Sequence, residues 1–455
     1  MSIQSINPFN GKILQEFEAH TDAQIEDTLQ SAESTYRKWR KTQFNERSSL
    51  MHKAAEVLRK NKDRYAQIMT DEMGKTKKEA IAEVEKCALC CDYYADNAEK
   101  FLADEPLQID QGEAYIAYDP IGTVLAIMPW NFPFWQVIRF AAPNLMAGNV
   151  GILKHASNVP QCALALEEVF REAGFPKGCF QSLLIPSKKV DNMLGDARIK
   201  AATLTGSEGA GSKVAAKAGQ ELKKTVLELG GSDPFIVLAD ADIEKAATTA
   251  VKARMINCGQ SCIAAKRFIV VEEAYEQFME VFTRKMSALK QGDPNEDDVD
   301  YGPMAREDLA EELLEQVQKS VEKGAEIILG GDRPDKEGAF FNATILGNLK
   351  SGMPAYEEEL FGPVATVFKA RDEEEAILIA NDSPYGLGGC VWTQDIEKGK
   401  RFVRQVESGA VYINKMTASH PALPFGGVKK SGYGRELSHL GIREFVNQKT
   451  VWLEK

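Results

Sequence analysis

Ala201-Ala-Thr-Leu-Thr-Gly-Ser-Glu-Gly-Ala-Gly-Ser212 reads as a strand, a glycine-rich turn and the start of a helix that runs to Leu222. The short apolar run is bounded by turn residues, and helical spacing takes over at Ser212. This unit is one of a series. Between Gly122 and Leu229, strands are expected near 122–128, 149–153, 180–185, 201–205 and 225–229, with helices at 134–147, 160–173, 187–195 and 209–222. Alternation at this spacing argues an α/β fold: a parallel sheet with helices on both faces and ligands beyond the carboxyl ends of the strands.

A second alternating series begins at Pro234-Phe-Ile-Val-Leu238 and reaches about Asn414, with strands near 268–271, 326–329, 364–369, 387–392 and 409–413. Ahead of both lie a turn at Asn7–Gly11 and three expected helices. Thr21 caps the first, which ends near Lys41. Leu50, Ala54, Val57 and Leu58 give the second a core-facing stripe. The third runs from about Thr76 to Leu102. Strands Ala114–Asp119 and Gly122–Met128 flank Pro120. The chain closes on a strand, Lys449-Thr-Val-Trp-Leu453, far from its sheets in sequence, and a neighbouring subunit is a plausible edge for it.

At 455 residues, with 44% hydrophobic and 27% charged, the chain can build two or three cored domains. A net charge of −12 gives no support for nucleic-acid or membrane-surface binding. No secretory signal and no bilayer-length apolar run is visible, so a cytoplasmic location is expected. Cys87 and Cys90 form a C-x-x-C inside a helical run without a second pair, which reads as packed helix cysteines, with no metal site.

Five segments carry chemistry. Gly259-Gln-Ser-Cys262 is a tight turn between the helical run Ala246–Met255 and the strand Phe268–Val271, and it offers the Cys262 thiol at an element junction. Met128-Pro-Trp-Asn-Phe-Pro133 brackets Asn131 between prolines, which stiffen the segment and suit a preorganised oxyanion donor. Val226-Leu-Glu-Leu-Gly-Gly231 sets Glu228 among apolar neighbours, where desolvation should raise its pKa toward that of a general base. Thr205, Gly206 and Ser207 open a helix whose backbone amides can hold a phosphate. Lys154-His-Ala-Ser157 ends a strand without a carboxylate, so Lys154 and Ser157 favour a 2′-phosphate over a free ribose hydroxyl.

In content and order, PWNFP (129–133), LTGS (204–207), ELGG (228–231), GQSC (259–262), EELFGPV (358–364) and PFGG (424–427) resemble the aldehyde dehydrogenase superfamily over essentially the whole chain. Ile152–Ser157, LPFGGVKKSGYGRE (423–436) and KTVWL (449–453) are similar to its succinate-semialdehyde branch. The resemblance implies a Rossmann-like cofactor domain (1–104 and 121–228), an α/β catalytic domain (229–414) and a small β bridging element (105–120 and 415–455) that builds a homodimer or homotetramer. It implies that Cys262 attacks an aldehyde, that Asn131 and the Cys262 amide hold the oxyanion, and that Glu228 activates water against the resulting thioester. It also implies that Trp130, Lys154, Ser157, Thr205, Gly206, Ser207, Leu229, Glu359 and Phe361 bind NADP, with NAD the weaker alternative. Arg139, Trp135 and Ser419 are expected to meet the substrate, with Arg139 as the clamp for a distal carboxylate. Related enzymes often carry a second arginine where this chain has Ile256, so glutarate semialdehyde or a neutral aldehyde stays open. So do an inactive binding protein on the same fold, and a cysteine hydrolase, for which no Cys–His pairing is evident. Cys258, four residues before Cys262, raises the question of an oxidation switch, with a spectator thiol the simpler reading.

Overall fold

Two sheets and the seam between them set out the molecule, which the computed structural model describes over residues 2–110 and 112–454. The first sheet runs Gly432–Tyr433, Lys224–Glu228, Ile199–Thr205, Thr123–Met128, Val150–His155, Phe180–Ser182. Its five longer-range strands are parallel, and Gly432–Tyr433 joins antiparallel at the edge. The second runs Glu326–Leu329, Thr344–Gly347, Val364–Ala370, Ala265–Val271, Asp233–Val237, Cys390–Trp392, Tyr412–Ile413. It is parallel except for the pair Glu326–Leu329 and Thr344–Gly347. Central strands of both sheets are buried on both faces and are rich in Val, Ile, Leu and Ala, as parallel sheets covered by helices require.

Each sheet has its own apolar core. The helix Lys77–Phe101 is a large part of the first, burying Ala80, Val84, Cys87, Ala88, Cys91, Tyr94, Ala95 and Ala98 along one stripe. Cys87 and Cys90 lie in that packed face, and burial pushes both thiols well up.

Thr21 caps the first helix, Asp22–Trp39, in a capping box with Gln24. Four helices, not three, precede the first sheet, because Lys62–Met73 forms a helix of its own. Asn61 alone separates it from Phe44–Lys60, so the sequence shows no break there. The strand Thr344–Gly347 was also missed, being short and flanked by loop-like sequence. The closing strand needs no neighbouring subunit: Val446–Leu453 pairs antiparallel along the whole of Glu113–Pro120 in its own chain. Glu105–Leu107 completes this three-stranded sheet. The expected boundary at 415 also cuts too early. Gly432–Tyr433 extends the first sheet, and Phe425, Leu437, Ile442 and Phe445 are buried in its core.

Candidate active site

Register puts the chemical segments side by side. Thr205 is paired with Glu228, and Ile127 with Lys154, so Asn131, Lys154, Thr205 and Glu228 all fall at or just past the carboxyl edge of the first sheet. Cys262 comes from the other direction, three residues before Ala265–Val271 of the second sheet. Cys262 and Ile263 nevertheless pack on the core of the first. The thiol therefore sits on the seam.

The turn that carries it is strained and tied down. Asn257 and Cys258 have φ of 54° and 55°, in the left-handed region that non-glycine residues rarely enter. The Asn257 side chain donates to the main-chain carbonyls of Asn131 at 2.7 Å and Gln260 at 3.0 Å. Fully buried Arg254 donates to the Gly259 carbonyl at 2.6 Å through Nη2 and lines neither cavity of the site. Gly259, at φ +74°, lies so close to Gly362 that a Cβ there would stand 2.1 Å from the Gly362 carbonyl oxygen. Gly231 is likewise required: a Cβ would meet the Cys262 carbonyl oxygen at 2.6 Å. The GQSC turn is thus pressed between the FGP and ELGG turns.

Asn131 is held as firmly. Its Oδ1 accepts from Gln136 at 2.9 Å, and one Nδ2–H donates to the Gln260 carbonyl at 3.0 Å. The second Nδ2–H is uncommitted. The Cys262 main-chain N–H also has no acceptor among the described residues. Two donors are therefore free beside one thiol. The loop itself is pinned by His155, whose Nε2–H donates to the Pro133 carbonyl at 2.9 Å while Nδ1 accepts from the Ala156 N–H at 2.9 Å. Burial lowers this imidazole to about 4, so it stays neutral.

Among the described cysteines only Cys262 is not fully buried, and all eight are unpaired. Desolvation pushes its thiol up to about 12, with Arg139 pulling the other way. Cys258 points into the core of the second sheet, so the two thiols belong to different packing environments and no disulfide joins them.

Glu228 is 1% exposed, and neither carboxylate oxygen has a hydrogen-bond partner. Desolvation, then the neighbouring Glu436, raises its pKa well above the usual carboxylate range, while Arg139 and Arg435 oppose them. The expected direction of shift is therefore present. The carboxylate does not line the cavity at Cys262 in this conformation; it lies against Gly426, whose added Cβ would meet Oε1 at 2.7 Å.

Two cavities share the Asn131 segment as a wall. One, of about 280 Å³, is lined by Trp130, Asn131, Thr205, Gly206, Ser207, Leu229, Cys262, Glu312, Glu359 and Phe361. This brings seven of the nine expected cofactor residues to the nucleophile. The Trp130 and Phe361 rings meet edge to face at 5.8 Å. Glu359 is oriented by Lys266 at 3.1 Å and by the Gly231 N–H at 3.1 Å. Ser207 caps the helix Glu208–Gln220. Lys154 lies outside this cavity; it is 6% exposed and among the described residues has only the Ser187 hydroxyl, at 3.5 Å, as a partner. A buried ammonium with no counter-charge fits an anionic group of a dinucleotide, and exposed Ser157 leaves that approach without a carboxylate. The donor set thus fits NADP.

The second cavity, about 540 Å³, is lined on one side by Phe132 and Trp135 and on the other by Val251, Lys252, Met255 and Ile256. Glu83 fixes the first wall: its carboxylate accepts the Phe134 and Trp135 N–H groups, both at 2.9 Å, and pairs with buried Lys75. Trp135 lines this cavity, and its indole N–H donates to the Ser419 hydroxyl at 3.1 Å. Arg139 does not. It is 3% exposed, forms an ion pair with Glu436, donates to Thr205 at 3.2 Å and covers the Phe425 ring. It lines neither cavity, and the expected carboxylate clamp is corrected: the guanidinium is spent inside the protein. Sequence reasoning missed Gln136, Asn257, Glu312 and Lys86. Asn257 and Lys86 gain significance from distant partners, Asn131 and Ser419, Gln136 from its bond to Asn131, and Glu312 from its place on the cavity wall.

A lone accessible thiol with paired free donors beside a nucleotide-sized seam defines a covalent, cysteine-dependent oxidoreductase site, and the chain belongs to the aldehyde dehydrogenase family, whose model matches residues 1–451. It is 52% identical over 453 residues to a probable NADP(+) succinate-semialdehyde dehydrogenase of Synechocystis sp., covering all of both chains. It is 51% identical over 456 residues to NADP(+) succinate-semialdehyde dehydrogenase 1 of Mycobacterium tuberculosis, again covering 100% of each. The crystal structure of succinic semialdehyde dehydrogenase from Streptococcus pyogenes in complex with NADP+ superposes with a TM-score of 0.98 at 42% identity, over all of both chains.

Proposed function

We propose that the protein oxidises succinate semialdehyde to succinate with NADP, through a covalent adduct on Cys262. The observation that carries this reading is the pair of uncommitted donors, Asn131 Nδ2–H and the Cys262 N–H, at the one accessible thiol. The relatives' activity and cofactor support the substrate and NADP.

Cys262 Sγ gives its proton to water in the cavity and adds as thiolate to the aldehyde carbon. The developing oxyanion is met by the Asn131 amide and the Cys262 N–H, both fixed before the charge appears. Bound NADP supplies the acceptor for the hydride. Collapse of the adduct leaves a thioester on Cys262, and a water deprotonated by Glu228 releases the acid; two modest barriers replace one high one. Glu228 must turn from Gly426 toward the thioester to do so. Thr205, Gly206, Ser207, Leu229, Glu359, Trp130 and Phe361 hold the cofactor near the thiol, and Lys154 with Ser157 takes the adenosine-side phosphate.

The three principal sheets support a division into a cofactor domain, a catalytic domain and a bridging element, with Gly432–Tyr433 assigned to the first. Exposed Leu107, Trp452 and Leu453 on the three-stranded sheet support a homo-oligomer. Eight unpaired cysteines fit a reducing, cytoplasmic setting.

The test is initial rates with succinate semialdehyde and NADP or NAD at matched concentrations. Faster NADP reduction is expected; no rate with either cofactor discards the substrate, and a preference for NAD discards the role given to Lys154 and Ser157.

A further inference from the structure

Three lysines, Lys78, Lys86 and Lys252, line the larger cavity without a carboxylate partner among the described residues, and Lys86 alone of them is withdrawn from solvent. It sits on the helix Lys77–Phe101 and lines the 540 Å³ cavity beside Trp135. Its ammonium lies 4.2 Å from the centre of the Trp135 ring and donates to the Ser419 hydroxyl oxygen at 2.7 Å. No carboxylate lies within ion-pair distance of it among the described residues, although other lysines, such as Lys75 and Lys266, are paired. The nearest acid on its own helix turn, Glu83, is already committed to Lys75 and to two backbone N–H groups.

The hydrogen-bond count at Ser419 sharpens this. Its oxygen accepts from both Lys86 and Trp135, which fills its two lone pairs. The serine O–H must therefore donate outward. Two ammonium protons of Lys86 and one hydroxyl proton of Ser419 are thus left over beside Trp135, and the acids that line the same cavity, Glu79, Glu83 and Asp300, form no ion pair with Lys86. Burial, reinforced by Arg139, lowers Lys86 to about 8, which is the strain expected of a cation awaiting an anion. Arg139, the other candidate, is neutralised by Glu436.

We propose that Lys86, with the Ser419 hydroxyl, binds the carboxylate at the far end of the substrate and sets the preference for an acidic over a neutral aldehyde. The inference rests on the proposed substrate. Trp135 then serves as the rigid backing that holds both donors in place.

The experiment compares kcat/KM for succinate semialdehyde with kcat/KM for butanal, in the wild type, Lys86→Met, Lys86→Arg and Ser419→Ala. The wild type should favour the acidic aldehyde. In Lys86→Met that ratio should fall by about tenfold or more, through KM for succinate semialdehyde, because a charge-assisted bond is lost from one substrate alone. Lys86→Arg should keep most of the ratio, and Ser419→Ala, which removes one small donor, should lower it about threefold to tenfold. A wild type without preference overturns the substrate reading and this inference together. A wild type with preference, retained in both Lys86→Met and Ser419→Ala, overturns Lys86 alone. If Lys86→Met does not fold, the Ser419→Ala ratio decides: unchanged, it too overturns the inference.

Discussion

The Asn257 side chain donates to the main-chain carbonyl of Asn131 at 2.7 Å, binding the nucleophile's turn directly to the oxyanion segment. The two come from different sheets, so the bond fixes the one distance that the chemistry depends on across the seam. Asn257 also occupies a left-handed conformation that asparagine tolerates better than most residues. Asn257→Ala loses the bond and keeps the backbone strain, at a cost of about 1–3 kcal/mol. A drop in Tm and a fall in kcat of about tenfold or more are expected from calorimetry and steady-state rates.

Asn131→Ala removes a fixed oxyanion donor together with its bond to the Gln260 carbonyl in the nucleophile's turn. We expect kcat to fall by about 10²–10³-fold. NADP affinity, followed by fluorescence titration, should change little, since Asn131 is assigned to the transition state. An equal loss in both would recast the residue as a cofactor ligand.

Glu228→Gln should keep a rapid burst of NADPH and slow the steady state, as rapid-mixing absorbance would show. The carboxylate also carries a stability signature. Its folded pKa is raised above the ordinary value, so ionisation in the folded state is disfavoured. Stability is present while the group is protonated and is lost as pH rises through the raised pKa. The neutral glutamine should therefore melt higher than the wild type at about pH 9, with the gap closing toward about pH 5. A gap of the opposite sign would mean that Glu228 has a cationic partner in the folded protein.

Ser157→Glu places a carboxylate where none stands now, just past the strand that carries Lys154. It should weaken NADP by about tenfold to a hundredfold in KM while leaving NAD closer to its starting value. Comparing the two cofactors in one variant separates charge repulsion from a general loss of fold.

Peroxide treatment followed by peptide mass spectrometry should find Cys262 oxidised and no Cys258–Cys262 linkage. Cys258 is buried in the second core, its thiol pushed far up by desolvation, and is in no state to act as a resolving thiolate. A 258–262 disulfide would require the turn to open.

Most of the architecture was legible because it rests on local signals. The alternating runs from Gly122 to Leu229 became a parallel sheet, and Thr21 became a cap, since apolar period and turn residues act over a few positions. The motifs held Asn131, Glu228 and Cys262 in view for the same reason. What failed was pairing over distance. Nothing near Arg139 signals Glu436 almost three hundred residues on, and nothing near Lys86 signals Ser419. The closing strand was sent to another subunit because its partner, Glu113–Pro120, lies more than three hundred residues away. Asn61, a single residue, hid the joint between two helices.

The proline-bracketed segment that separates the two cavities has a kinetic consequence. Trp130 and Asn131 face one chamber, Phe132 and Trp135 the other. Each ligand thus has its own antechamber, with the proline-bracketed segment between them. A dead-end inhibitor shaped for the larger chamber should therefore compete with the aldehyde and not with the dinucleotide, and the spent acid can depart while the dinucleotide is still in its seat.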